Sequence, residues 1–69
     1  MGYSVSGVGI PGKEVKIKYG KEEKEIMPNE HGFWQIDLST FSGYPNFKTV
    51  QVNNQKRSMT DRPYGLVFK

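Results

Sequence analysis

Apolar and polar residues alternate most strictly in Glu14-Val15-Lys16-Ile17-Lys18-Tyr19, which sets Val15, Ile17 and Tyr19 on one face and charged residues on the other. Period-two alternation is the pattern of a half-buried strand. A second alternating run, Phe33-Trp34-Gln35-Ile36-Asp37-Leu38, puts Trp34, Ile36 and Leu38 on one face and predicts the centre of a core there. Tyr3 to Gly9 forms a shorter β-like run, joined to the first by Ile10-Pro11-Gly12-Lys13. Pro at the first central position and Gly at the second favour a tight turn there.

Gly20-Lys21 predicts a hairpin tip, so the charged run Glu22 to Met27 returns as a strand whose polarity suits a sheet edge. Five consecutive charged residues between Gly20 and Pro28 are too few for an independent helix. Pro28 to Gly32 is a loop. From Ser39 to Asn46 turn-forming residues dominate, with Phe41 and Tyr44 expected to fold over the core as plugs. Phe47 to Val52 predicts a strand with Val50 and Val52 on one face, Asn53-Asn54 a turn, and Gln55 to Met59 its antiparallel return. After the break at Asp61-Arg62-Pro63, Tyr64 to Phe68 predicts a last strand with Leu66 and Phe68 facing one way and Val67 the other.

Composition agrees. The 69 residues include no Ala and only Leu38 and Leu66 as Leu, while Val and Ile number ten and Phe, Tyr and Trp nine. That apolar alphabet suits a pleated surface better than a helix. At 35% hydrophobic the chain supports one thin core, so residues 1–69 are expected to form a single all-β domain. Without Cys there is no disulfide framework and no thiolate zinc site. The longest uncharged stretch, Met1 to Gly12, is too short to span a bilayer and lacks the layout of a signal peptide. An exported parent protein would carry its address outside these residues.

The order of the pieces is more specific than their composition. Val5-Ser6-Gly7-Val8-Gly9-Ile10-Pro11-Gly12-Lys13-Glu14-Val15-Lys16-Ile17, a charged hairpin, then Asn29-Glu30-His31-Gly32-Phe33-Trp34-Gln35-Ile36-Asp37-Leu38 resembles the bacterial immunoglobulin-like domains strung along surface and adhesion proteins. The Pro-Gly turn and the Gly-Phe-Trp strand carry the resemblance over about half the chain. It implies a small antiparallel β-sandwich in which Trp34 reaches across two sheets about 10 Å apart. About six strands can be placed where such a module has seven, so a minimal or truncated module of a longer protein is expected. Small prealbumin-like domains, which also begin Gly-Ile-Pro-Gly, imply nearly the same architecture.

The chemistry-bearing residues are sparse. His31, in Pro28-Asn29-Glu30-His31-Gly32, has no second His, Cys or carboxylate pair to complete a metal site, and Asn29 and Glu30 alone make a poor calcium site. Five Ser residues stand without a nucleophile elbow. Gly7-Val8-Gly9-Ile10-Pro11-Gly12 lacks the following helix that a phosphate loop requires. No catalytic, cofactor or metal residue is therefore expected, and the chain reads as a non-enzyme.

The net charge of +3 directs attention to anionic partners. Lys16, Lys18, Lys21 and Lys24 are interleaved with Glu, whereas Lys48, Lys56, Arg57 and Arg62 form the least neutralised group, with Tyr44 and Tyr64 as nearby aromatics. These six residues are the candidate binding surface. The resemblance implies a structural or adhesive module of a bacterial surface protein, extracellular, that spaces or presents neighbouring domains; cell-wall polymer, glycan or a host protein are the partners in view, and a cytoplasmic address stays open. The competing reading is a small basic β-barrel, SH3-like or OB-like, that binds single-stranded nucleic acid through a positive groove and stacking aromatics.

Overall fold

Strict alternation at positions 15, 17 and 19 commits one strand to two different environments, and the rest of the chain is arranged to cover its apolar side. The computed structural model describes residues 2–59 and 65–69. It contains β1 (Ser4–Val8), β2 (Val15–Tyr19), β3 (Glu22–Ile26), β4 (Phe33–Asp37), β5 (Thr49–Val52), β6 (Gln55–Ser58) and β7 (Gly65–Phe68), with one 3-10 turn at Leu38–Thr40. The described strands number seven, each on one of the runs the sequence pattern marks, against an expected count of about six. They form two sheets, of order β4-β1-β7 and β3-β2-β5-β6, packed as a small β-sandwich.

The core lies between the sheets. Val5, Val15, Ile17, Tyr19, Trp34, Val50, Val52, Leu66 and Phe68 point into it, joined by Tyr3 just before β1 and by Leu38 and Phe41 from the β4–β5 connection. The expected faces of β2, β5 and β7 are the buried ones. In β4, Trp34 is buried, Ile36 is half-buried and Phe33 faces solvent. Leu38 is buried from the 3-10 turn rather than from the strand, because the Asp37 side chain accepts the Ser39 N–H and turns the chain. Phe41 is fully enclosed, while Tyr44 packs half-buried against the core.

Four of the five strand pairings run antiparallel, and one does not. β1 pairs antiparallel with β4 but parallel with β7, in the register Ser4↔Gly65 to Gly7↔Phe68. The expected antiparallel sandwich thus includes one parallel ladder. The physical reason is topological: β7 arrives from β6 across the sandwich and fills the free side of β1 after β4 has taken the other. Gly7 sits where this ladder passes over the core. A Cβ at that position would lie 2.6 Å from the Trp34 ring and 2.7 Å from the Phe68 carbonyl oxygen, so only hydrogen fits.

Candidate functional site

The outward face of the four-stranded sheet is built from the polar half of each alternating run. β2 contributes Lys16 and Lys18, β3 Glu23 and Glu25, β5 Thr49 and Gln51, and β6 Lys56 and Ser58. The registers Lys18↔Gln51 and Gln51↔Lys56 set Lys18 and Lys56 two strands apart in one row, about 10 Å at the usual strand spacing. Across β2 the same row ends on Glu23, and the next on Glu25. Charges interleaved along the chain are thus sorted across the sheet, acidic toward β3 and basic toward β6.

Beside that row lies an open depression of about 240 Å³. Lys18, Lys21 and Lys56 line it together with Gly20, Phe47, Thr49 and Gln51, with no carboxylate among them. Phe47 is held in place from beneath. The buried Tyr19 phenol donates to the Phe47 carbonyl at 2.9 Å and accepts the Phe47 N–H at 3.1 Å, and the two rings meet edge to face at 5.6 Å. Gly20, at φ +65°, turns the β2–β3 hairpin and leaves room for the Phe47 ring, which any Cβ there would strike.

The residues expected to form a basic surface are dispersed. Lys56 belongs to the depression. Arg57, next along β6, faces the other way: its guanidinium donates to the Val67 carbonyl at 2.7 Å and stacks 4.8 Å over the Phe68 ring, closing one side of the sandwich. Lys48 is exposed outside the depression, and its carbonyl accepts the Met59 N–H at 2.8 Å. The Tyr44 hydroxyl accepts the Tyr3 N–H at 3.0 Å, and its ring packs 6.2 Å from that of Tyr19. Arg62 and Tyr64 lie outside the described residues. Lys18, Lys21 and Phe47 were not in the expected group, although the two two-residue hairpins put Lys18 and Lys56 on polar faces that the alternation already marks.

The opposite edge is closed in the same manner as Arg57 closes its own. Lys24 points inward from β3, donates to the Thr40 carbonyl at 3.1 Å and lies 5.1 Å from the Phe41 ring centroid. Glu22 accepts both the N–H and the hydroxyl of Ser42, at 2.9 and 3.2 Å. The Ser42 N–H is the main cause that holds the Glu22 carboxyl below its ordinary range; partial burial opposes it, and the Ser42 hydroxyl and Lys24 add to it. The Ser39 N–H lowers Asp37 in the same way.

The loop around His31 is organised by Asn29, whose side-chain oxygen accepts the N–H groups of His31 and Phe33 at 2.9 and 3.0 Å. His31 and Glu30 face solvent with 3.6 Å between Nε2 and Oε1. Among the described residues no group of three His, Cys, Asp or Glu is placed to hold a metal ion, and no helix is long and apolar enough to cross a membrane. No family model, curated protein or solved structure matches this chain.

Proposed function

We propose that the chain is a non-enzymatic structural module of a bacterial surface protein, which spaces or presents the domains on either side of it. The parallel pairing of β1 with β7 carries this reading. Because both strands run the same way, the polypeptide enters the sandwich at the Ser4 pole and leaves beyond Phe68, about 10 Å further along the strand axis and toward the opposite pole. Neighbours attached at the two ends would therefore lie in line rather than side by side. The module is elongated along one axis, 32 × 22 × 22 Å, and its interior is filled by its own side chains. The Pro-Gly turn and Gly-Phe-Trp strand that resemble bacterial immunoglobulin-like domains support the same role.

Two measurements test it. Small-angle scattering on head-to-tail chains of two and four copies should show the maximum dimension rising by roughly the module's length with each copy, and antibody against the folded chain should label intact cells of the bacterium that makes it. Copies that fold back side by side, or labelling only after the cells are opened, would overturn the proposal.

A further inference from the structure

The depression between Lys18, Lys21 and Lys56 has the features of a binding site for an extended polyanion. Three lysines line it from three separate elements: Lys18 from β2, Lys21 from the β2–β3 turn and Lys56 from β6. None of the three makes an ion pair or hydrogen bond among the described residues. Glu23 faces Lys18 across the β2–β3 ladder and Glu25 faces Lys16, whereas Lys56, three strands from Glu23 along the row, has Gln51 opposite it. Gln51 stands between Lys18 and Lys56 in the row and Thr49 also lines the depression, an amide and a hydroxyl suited to hydroxyls rather than to a second charge.

The shape discriminates between polyanions. A single strand of nucleic acid is gripped by combining a positive groove with aromatic platforms for successive bases. Among the described residues this face carries Phe47 as its one exposed ring, 39% exposed and with part of the ring against the Gly20 and Gly43 backbone. The other strongly exposed rings among the described residues, Phe33 and the neighbouring His31, belong to β4 of the opposite sheet and the loop before it. We infer that the trough binds a flexible chain of phosphodiester-linked polyol units, with Lys18, Lys21 and Lys56 on phosphates and Gln51 and Thr49 on the hydroxyls between them. The choice of a polyol rests on the proposed surface role; the cationic trough does not, and its loss would leave the spacing function intact.

The full chain is titrated with poly(glycerol phosphate) by calorimetry at low and moderate salt. Binding should weaken steeply as salt rises, with log K falling by roughly two units per tenfold salt if three phosphates are engaged. The double variant Lys18→Gln/Lys56→Gln should lose at least about tenfold in affinity, while Lys13→Gln/Lys69→Gln, with the same change in net charge, should lose less than about twofold. All four residues are exposed, and matched thermal unfolding curves will establish that the variants are folded. Equal losses in the two double variants would mean nonspecific attraction and overturn the site. An absence of binding at low salt would do the same. Tighter binding of a single-stranded oligonucleotide or of a polycarboxylate glycan would overturn the polyol assignment. None of these results bears on the scattering from tandem copies, so the two proposals fail separately.

Discussion

Tyr19 shows how one buried residue can serve two purposes. Its ring fills the core beside Phe41, with centroids 5.8 Å apart, while its hydroxyl pairs with both backbone groups of Phe47. Tyr19→Phe keeps the ring and leaves the Phe47 N–H and carbonyl without that partner, so a loss of about 1–3 kcal/mol is expected in urea unfolding. It should also weaken polyanion binding more than any loss of stability explains, because Phe47 would no longer be pinned under the trough. Arg57 is a parallel case. Arg57→Met retains the apolar stem but gives up the Val67 hydrogen bond and the stacking on Phe68, and should cost about 1–2 kcal/mol in the same measurement. Neither role was legible in the sequence. Alternation identifies Tyr19 as inward, but the partner of its hydroxyl is 28 residues away, and Arg57 reads as a surface cation because its target lies in the other sheet.

Individual elements were the most legible level, because each is specified by local chemistry. The β2–β3 hairpin closes over Gly20-Lys21 and the β5–β6 hairpin over Asn53-Asn54, as their turn residues predict. In the second turn Asn53 and Asn54 both adopt positive φ, 48° and 70°, the requirement of a type I′ turn. Their side chains are not equivalent. Asn53 exchanges two hydrogen bonds with Lys16, accepting its N–H on the side-chain oxygen and donating its own N–H to the Lys16 carbonyl. Asn54→Gly should therefore stabilise by up to about 1 kcal/mol by relieving a left-handed residue. Asn53→Gly should instead lose about 1 kcal/mol with the side-chain bond. Thermal unfolding of the two variants checks the opposite signs. What the pattern does not encode is adjacency: period two tells which face of a strand is buried and is silent on which strand lies beside it. The β2–β5 pairing that assembles the cationic row, and the parallel β1–β7 ladder, emerge only when both sheets close on the core.

For the molecule as a whole, charge placement sets the response to acid. Glu22 and Asp37 both have folded pKa values below their ordinary ones. Their contacts with Ser42 and Ser39 thus contribute stability above the ordinary carboxylate range, and that contribution is lost as pH falls through the lowered folded values, where the unfolded chain has already taken up its protons. Urea midpoints followed from about pH 6 to pH 3 should decline over that window. Glu22→Gln, which keeps an acceptor for Ser42 but cannot titrate, should flatten the decline.

The parallel ladder between the first and last strands also determines how the fold bears load. A pull applied at the two ends of the chain draws β1 and β7 past each other along their length, so all the hydrogen bonds of the ladder are strained together in shear rather than opened one after another. The Gly7 and Phe68 end of that ladder is seated on Trp34, which must slide with it. Stretched from its termini, the module should hold as a unit and then yield in a single event.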